Sequence, residues 1–434
     1  MQKTVLFVSP DFPPCNLVGV HRVRLFVRHV REFGYEPIVL TLRPEEYETK
    51  LDPELEQLVD PTVTVIRTPA LPTWPVRVVG DTGLRSLPYH LAAINRIARL
   101  RKLDLLFLTV FPAYSTLLGP LIARRFGIPY VIDYQDPWVQ PIQRKHWRSP
   151  KSLAVHTLAR LLEPRAVAGA SGIMGVGEGY FAGVLRRNPR LRTLPTAGIP
   201  LGGEPLDHEL IARRTEPARL LDRPELAGRL VLVYAGAILP RAHGTLRTLL
   251  AAGRRWTESG DLLAARIRLL FVGTGSRPTD PTSGVVGPIA RECGVDGMVV
   301  EVAERQPFMD VLHLLHQCQG VLILGSSEQH YSASKSFQAL MSRRPILGLM
   351  HAESSAAEIL RDQPGVELVT YTDAEPVETR EQEIADGLKA VATAGPEPIV
   401  RPEGSLEPFT ARAMTHRLAS FFDTVLARAR ALRE

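Results

Sequence analysis

The sequence predicts an α/β protein built from two doubly wound parallel sheets. Short apolar runs of the kind found in buried parallel strands alternate with amphipathic helical segments along the chain. At 434 residues the chain is too long for one ordinary core, so we expect two domains. A stretch rich in Gly and Pro, LPTAGIPLGGEP at residues 194–205, interrupts the alternation and predicts a hinge between the domains.

The first half of the chain begins with a strand, a loop, a helix and a second strand, which is the pattern of a βαβ unit. The run TVLFVS at residues 4–9 predicts the first strand, and residues 21–33 predict a helix that Gly34 ends. A second strand is predicted at residues 37–41. Further strands are predicted at residues 62–67, 103–110, 130–134 and 171–176, and further helices within residues 77–100, 113–125, 153–169 and 177–185. We interpret residues 1–200 as one doubly wound domain.

The second half repeats this plan, and we interpret residues 201–409 as a second domain of the same type. Its strands are predicted at residues 230–235, 267–272, 298–302, 320–324, 345–349 and 365–370. Its helices are predicted at residues 245–257, 308–317, 354–361 and 381–393, and from about residue 334. A last helix is predicted at residues 410–434.

The composition is that of a soluble globular protein, with 45% apolar and 23% charged residues. The three cysteines are far apart and odd in number, which argues against a disulfide framework and favours a reducing compartment. The N-terminal residues pass almost directly into a strand, so we expect no signal peptide. No window reaches 18 apolar residues without a charge, so we expect no spanning helix and a cytoplasmic location.

The net charge of +6 is unevenly distributed along the chain. Residues 1–200 hold 26 Lys and Arg against 16 Asp and Glu, whereas residues 201–434 hold 26 against 30. A basic first half favours an acidic partner, and an anionic membrane surface or a phospholipid-linked substrate fits better than nucleic acid, for which no motif is found. The alternative is that frequent arginine reflects a GC-rich genome.

A Ser-rich loop at residues 325–334 follows an apolar strand and opens a helix near Lys335. Open α/β sheets place their ligands at such a strand end. A cation in a first helical turn opposes the helix dipole, but it would stabilise an anion bound to the free N–H groups there. The loop is therefore a candidate anion site, and the alternative is that Lys335 points into water.

Asp136 follows the strand YVIDY at residues 130–134, and polar residues at the carboxyl end of a parallel strand face the ligand crevice. Asp136 is therefore a candidate acid, base or sugar-hydroxyl ligand. Its alternative role is to cap the next segment. Neighbouring Trp138 is a candidate wall of the same site.

Several stretches, in order, resemble motifs of the GT-B glycosyltransferases, and above all of glycosyltransferase family 4 in its bacterial surface-glycan members. VLFVSPDFPPCNLVGVHRVR resembles the first strand and its Gly loop, YVIDYQDPW an Asp–Pro–Trp segment, and IPLGG the interdomain stretch. YAGAILPR and FVGTG resemble strand-end loops of the nucleotide-sugar domain. SASKSFQALMSRRPILG and SSAAEIL resemble the donor-binding segment and the helix that follows it. The ordered set spans nearly the whole chain.

This resemblance implies two Rossmann-like domains facing each other across a cleft, with the C-terminal helix packed back on the first domain. The first domain would hold a glycan or lipid-linked acceptor, and the second a nucleotide-sugar. A hexosyl-type transfer would retain the anomeric configuration and need no metal and no cofactor besides the donor. Donor binding falls on Gly19, Arg241, Gly273, Ser334 and Lys335, because glycines allow close backbone approach and the cations stabilise the leaving diphosphate.

The acceptor-side candidates for catalysis are Asp136 and His21. Two positions depart from the family pattern, in which a pair of glutamates contacts the sugar and the nucleotide ribose. His330 stands at the first position and Gln338 at the second, and both are candidate donor ligands. Because neither is a carboxylate, a second hypothesis is a degenerate GT-B protein that binds nucleotide-sugar or a partner glycosyltransferase without turnover. A third, a sugar-nucleotide epimerase, needs acid and base carboxylates that the sequence does not identify.

One further cluster, HLLHQC at residues 313–318, has helical spacing in apolar surroundings. We interpret it as packing and not as a metal site.

Overall fold

The computed structural model of the chain describes residues 2–73, 81–140, 150–275, 283–326, 335–395 and 397–433. It divides into two compact units. The first unit comprises Met1–Gly202 and Ala411–Glu434, and the second comprises Gly203–Thr410. Each unit has a parallel sheet with helices, so the predicted α/β class is confirmed.

The strands have the apolar, buried character expected of parallel strands covered on both faces. They are β1 (Lys3–Val8), β2 (Tyr35–Leu42), β3 (Thr64–Thr68), β4 (Leu105–Thr109), β5 (Tyr130–Tyr134), β6 (Gly172–Gly175), β7 (Thr196–Gly198), β8 (Leu230–Ala235), β9 (Ile267–Val272), β10 (Val299–Val302), β11 (Gly320–Leu324), β12 (Ile346–His351) and β13 (Val366–Tyr371).

The helices lie between the strands. They are α1 (Val20–His29), α2 (Glu54–Gln57), α3 (Thr82–Leu100), α4 (Leu118–Phe126), α5 (Pro150–Val167), α6 (Glu178–Arg187), α7 (Pro205–Ala212), α8 (His243–Glu258), α9 (Leu262–Arg266), α10 (Val286–Glu292), α11 (Phe308–Gln317), α12 (Lys335–Met341), α13 (Ser355–Leu360), α14 (Glu381–Thr393) and α15 (Ala411–Ala431). Two of them end or begin as the sequence indicates. Gly34 closes the 3₁₀ turn after α1 in the left-handed region, at φ 85°, and the Ser354 side chain caps α13 by accepting from the Ala357 N–H.

The first unit's sheet has the order β3-β2-β1-β4-β5-β6-β7 among the described residues, and every pair is parallel. Strand β1 pairs with β2 on one side and with β4 on the other. The direction in which strands are added therefore reverses between β1 and β4. In open α/β sheets, ligands bind outside the carboxyl ends of the strands at such a reversal.

The second unit's sheet has the order β10-β9-β8-β11-β12-β13 in the part of the chain that the structure describes. Its strand order reverses between β8 and β11, which pair in parallel. The two halves of the chain therefore follow one plan, and each has its own candidate ligand position at the reversal.

The stretch at residues 194–205, predicted to separate the domains, contains the boundary between the two units, at Gly202 and Gly203. It also contains β7, which was not predicted. Strand β7 has only three residues, and its backbone pairs with β6 from Ile173 to Gly175. The sequence TAG has too few apolar side chains to be recognised as a strand. The helices α9 and α10 were not predicted, because they are too short to show a clear helical pattern. The helix expected within residues 77–100 begins at Thr82.

The C-terminal helix α15 packs against α1 and the first unit's sheet. The Phe422 ring lies 5.3 Å from that of Tyr35 and 5.9 Å from that of Phe107, in edge-on contacts. The Tyr35 hydroxyl also donates to Asp423 Oδ1 over 2.8 Å. Residues more than 380 positions apart in sequence thus share one core.

A buried ion pair fixes the start of α1 to the centre of the first unit's sheet. Arg22 donates from Nε and Nη2 to the two carboxylate oxygens of Asp133, each over 2.8 Å. Its Nη1 donates to the Ile199 carbonyl over 2.6 Å. Both side chains of the pair are fully buried, and this bidentate geometry satisfies the charges that burial would otherwise leave unpaired.

Two further features concern the cysteines and the helices. The three cysteines are free thiols. None of the helices within the described ranges is long and apolar enough to cross a membrane.

Candidate functional site

A pocket of about 450 Å³ opens in the first unit at the carboxyl edge of its sheet. The loops after β1, β2, β4 and β5 contribute to its wall, which places it at the strand reversal between β1 and β4. Its described lining combines the carboxylates of Asp11, Glu48, Asp81 and Asp136 with the indole of Trp138. Carboxylates and an aromatic face are the groups that bind sugar hydroxyls and sugar ring faces.

Asp11 is the most deeply buried of these carboxylates, with 4% of its surface exposed. The pKa of Asp11 is raised to about 7, mainly by burial and in part by the neighbouring charge of Asp81, while a hydrogen bond from Thr82 opposes both. That bond is long, with 3.4 Å between Thr82 Oγ1 and Asp11 Oδ1. At neutral pH the Asp11 side chain can therefore either accept or donate a proton.

Asp136, predicted from its place after β5, does line the pocket. It lies at the exposed rim, and partial desolvation raises its pKa. Trp138 also lines the pocket, and its ring packs edge-on against Tyr114 with 5.6 Å between ring centroids. These two predicted residues are therefore brought together.

Gly19 and His21 are not among the described residues that line this pocket. Gly19 precedes α1 in a helical conformation, and a Cβ there would lie 2.8 Å from Cδ1 of Phe111. Because Phe111 lines the pocket, the glycine leaves room for part of its wall. His21 lies on α1, where its Nδ1 is 3.4 Å from Nη2 of Arg24. The pocket does not bring His21 together with Asp136.

In the second unit, Lys335 begins α12 and extends to the end of β8. Its Nζ donates to the Tyr234 hydroxyl over 2.5 Å and lies 4.2 Å from the centre of that ring. Tyr234 in turn donates to the Ala237 carbonyl over 3.1 Å, and burial raises the pKa of Tyr234. The lysine is thus held in place at the strand reversal, and the alternative that it simply points into water is wrong.

Two glycines border this lysine. A Cβ on Gly236 would lie 2.7 Å from Lys335 Nζ, and the residue has φ 130°, so glycine is required there. Gly273, at the end of β9, also has positive φ, at 69°, and its Cβ position is 4.0 Å from the Gly236 backbone. The loops after β8 and β9 therefore meet beside Lys335. Gly273, a candidate donor-binding residue, therefore lies beside Gly236 and Lys335.

Arg241 lies in a 3₁₀ turn, Pro240–Ala242, that leads from the β8 loop into α8. Its side chain is exposed. Ser334 and His330 lie outside the described residues. The structure therefore gives positions for Lys335, Gly273 and Arg241 but not for these two.

Gln338 is held by a chain of side chains that the sequence did not predict. His208 of α7 has its Nε2 2.6 Å from Gln338 Oε1 and its Nδ1 2.9 Å from His316 Nε2. The amide oxygen can only accept, so His208 donates from Nε2 and accepts at Nδ1 from His316. Burial lowers the pKa of both histidines, that of His316 to about 4, which keeps both rings neutral.

The carboxylate of Glu301 occupies the start of α10. It accepts from the backbone N–H groups of Val285, Val286 and Gly287 at 2.8 to 3.0 Å, and from the Thr274 hydroxyl. This arrangement is a structural cap, so the N-terminus of α10 already has its anion.

No group of three or more His, Cys, Asp or Glu side chains that could hold a metal ion is found in the described ranges. In the cluster at residues 313–318, His316 contacts His208, whereas His313 contacts Gln317 over 2.9 Å. The two histidines therefore have separate hydrogen-bonding roles.

Sequence reasoning missed three of these residues, and one of them had a usable signal. Asp11 follows β1 directly, so the strand-end rule that identified Asp136 applies to it equally. Tyr234 is an ordinary apolar member of β8 in the sequence. His208 is 130 positions from its partner Gln338, and only the fold brings the two together.

Comparisons with known proteins give consistent findings. Residues 19–197 match the family described as "Glycosyl transferase 4-like domain". A comparison with curated protein sequences finds no significant match.

Among solved structures, the chain is similar to sucrose-phosphate synthase from Thermosynechococcus elongatus, with 15% identity over 98% of this chain and 100% of that one, at a TM-score of 0.58. A UDP-forming α,α-trehalose-phosphate synthase from Burkholderia xenovorans, in complex with glucose-6-phosphate, matches with 11% identity over 98% of both chains, at 0.57. Anabaena HepE in complex with UDP matches with 15% identity over 97% of this chain and 99% of that one, at 0.53. The structural likeness covers 97–98% of the chain and confirms the GT-B fold. The resemblance to the family 4-like glycosyltransferases is confirmed over residues 19–197.

Proposed function

Because its first unit carries a glycosyl transferase 4-like domain and the whole chain has the GT-B fold, we propose that this protein is a glycosyltransferase. It transfers a sugar from a nucleotide-sugar to a cell-surface glycan or lipid-linked acceptor in polysaccharide biosynthesis. It works in the cytoplasm, at the inner face of the membrane. The observation that carries the proposal is the pocket of carboxylates and Trp138 at the strand reversal of the first unit.

We assign the acceptor to this pocket. The Trp138 ring offers an apolar face to a sugar, and Asp136 and Asp11 accept hydrogen bonds from its hydroxyls. A carboxylate near its pKa at neutral pH can also take part in proton transfer from the reacting hydroxyl. Asp11 therefore takes the place that the sequence had suggested for His21.

The charge of the pocket specifies the acceptor further. Its described lining holds four acidic side chains and neither lysine nor arginine. A phosphate bound among them would be repelled, so the acceptor presents an uncharged, hydroxyl-bearing sugar to this pocket. In a lipid-linked acceptor the phosphate lies outside it. Glucose 6-phosphate, which one structural neighbour binds, is expected to be a poor ligand here.

We assign the donor to the second unit, at the loops around Lys335, Gly236 and Gly273. The lysine and Arg241 supply positive charge for the diphosphate, as the family resemblance implies. Gln338, oriented by His208, offers its amide N–H groups to the ribose hydroxyls. Ser334 and His330 belong to the same proposal.

The transfer breaks the bond between the sugar C1 and the diphosphate oxygen and forms a bond between C1 and the acceptor oxygen. The acceptor proton leaves with the diphosphate or through the pocket carboxylates. We propose that the configuration at C1 is retained and that the lysine replaces a metal ion at the leaving group. Activity is then unchanged by EDTA, and proton NMR of the product shows the anomeric configuration of the donor. Loss of activity in EDTA that Mg²⁺ restores would contradict the metal-independent mechanism.

A second candidate function is binding of nucleotide-sugar without transfer. It is favoured by Gln338, a neutral residue where the family has a glutamate, whose amide oxygen is already engaged by His208. Thermal-shift screening against UDP-, GDP-, ADP- and dTDP-sugars, followed by assay of nucleotide release from the stabilising donor, separates the two. Stabilisation with turnover supports the transferase. Stabilisation without turnover, even with lipid-linked acceptors present, supports the second candidate, and no stabilisation contradicts both.

A further inference from the structure

Helix α5 of the first unit exposes several aliphatic side chains on the side that faces away from its core. Its inner side is buried and includes Ala159, Ala166 and Val167. Four large aliphatic side chains on the same helix are exposed by 40 to 55%: Leu153, Val155, Leu158 and Leu161. Single exposed leucines are common on protein surfaces, but a group of four on one helix indicates a covered face.

The neighbouring helix α4 extends this surface. It packs beside α5, and its Leu121 is 52% exposed. We call the exposed side of both helices, with these five aliphatic side chains, the α4–α5 face. Exposed aliphatic side chains therefore occur on both of these neighbouring helices.

The charges on the α4–α5 face are of one sign. Arg124, Arg125, Arg160 and Arg165 are exposed. The single acidic residue in the two helix sequences is Glu163, which is 1% exposed and paired with Arg187 over 2.6 Å. Exposed aliphatic side chains therefore stand among arginines with no exposed carboxylate on either helix.

We propose that the α4–α5 face binds the surface of an anionic membrane. The aliphatic side chains enter the interface between headgroups and acyl chains, and the arginines contact the lipid phosphates. A second copy of the chain is a poorer occupant, because a two-fold interface would bring the arginines of one copy against those of the other. A nucleic acid is also a poorer occupant, because its phosphates would contact the arginines but not the aliphatic side chains. The inference deepens the proposed function, since a lipid-linked acceptor lies at such a surface.

Vesicle co-sedimentation tests this proposal on the full chain. Vesicles of phosphatidylcholine with phosphatidylglycerol are expected to pellet the protein at low salt and to release it at high salt, whereas pure phosphatidylcholine binds it weakly. The variant L158D/L161D is expected to bind more than about tenfold more weakly, because it puts charge at the apolar centre. Each of R124Q and R125Q is expected to weaken binding about fivefold.

The matched control is L262D, since Leu262 is 85% exposed but lies in the second unit. It is expected to bind vesicles like the wild type, and circular dichroism checks that every variant is folded. Equal vesicle binding by L158D/L161D and wild type would overturn the proposal, as would a wild type that binds no vesicle. A dimer that L158D/L161D converts to a monomer would assign the face to a second copy instead and would also overturn it.

The same variants distinguish this inference from the proposed function. L158D/L161D is expected to bind nucleotide as the wild type does, because its substitutions lie in the first unit. Vesicle binding by a wild type that binds no nucleotide would support the membrane face while contradicting the transferase. Nucleotide binding without vesicle binding would overturn only the membrane face.

Discussion

Replacing Lys335 by alanine tests the donor site at its best-defined residue. In the wild type, the Lys335 ammonium is held by Tyr234 at 2.5 Å, beside the glycine-lined loops after β8 and β9. The substitution removes one positive charge and leaves the Tyr234 hydroxyl without this donor. We therefore expect K335A to weaken the binding of the nucleoside diphosphate that stabilises the wild type.

The size of the effect follows from the charges. Two unit charges about 4 Å apart attract by roughly 4 kcal/mol at an effective dielectric constant of about 20. Part of this is offset because the lysine must lose its contacts with Tyr234 and with water. A net hydrogen bond to a charged group contributes about 1.5–3 kcal/mol. We therefore expect the dissociation constant to rise roughly tenfold to a hundredfold.

Isothermal titration calorimetry measures this change, with two control variants. Lys389 lies in the same unit, is largely exposed and pairs with Asp261, so K389A makes the same change in net charge away from the site. It is expected to leave affinity unchanged. Y234F keeps the ring under the ammonium but removes the hydroxyl, and is expected to weaken binding only severalfold. An affinity of K335A equal to that of the wild type would refute the assignment of Lys335 to the diphosphate.

Three further predictions concern the first unit. The kcat/KM for the acceptor should rise with pH through about 7, because the pKa of Asp11 is about 7 and only its ionised form can accept the proton of the acceptor hydroxyl. The variant D11N should lack this inflection. An inflection that persists in D11N would exclude Asp11 as the titrating group. R22A should lower the free energy of unfolding in urea by about 3–5 kcal/mol, because it leaves Asp133 buried and unpaired. The double variant R22M/D133L should lose less stability, because it removes both charges. An equal loss of stability in the two variants would contradict this explanation. Burial lowers the pKa of His90 to about 4, so as the pH falls the unfolded chain is protonated at this residue near the ordinary value of 6.5, before the folded chain is. The free energy of unfolding should therefore fall by up to about 3 kcal/mol as the pH drops from 6.5 towards 4. Unfolding measurements at several pH values should show a smaller pH dependence for H90L.

Most of the fold could be predicted because its signals are local. Buried parallel strands appear as apolar runs, and Gly34 and Ser354 mark a helix end and a helix start by their own chemistry. Strand β7 was not predicted, because it is defined by backbone pairing with β6 and its three small residues show no strand pattern. Arg22 looked like one of several arginines on an amphipathic helix, and its partner Asp133 lies 111 positions away.

The candidate site was likewise predictable only in part. The rule that ligands lie at strand ends selected Asp136 and the loop before Lys335 as candidates from the sequence, and the family resemblance added Gly273. The same rule applies to Asp11. It could not show that Lys335 contacts Tyr234, or that His208 orients Gln338, since such contacts depend on how helices pack. Side-chain partners separated by about a hundred residues are set by the tertiary fold and have no local pattern.

The most direct test of the central claim is release of nucleoside diphosphate from a nucleotide-sugar by the purified full chain. UDP-, GDP-, ADP- and dTDP-sugars are supplied in turn with lipid-linked sugar acceptors, and the glycosylated product is identified by mass spectrometry. We expect one donor class to be consumed with formation of an equal amount of product, and K335A to be impaired with the same donor. A protein that neither binds nor consumes any of these donors would contradict the proposed glycosyltransferase.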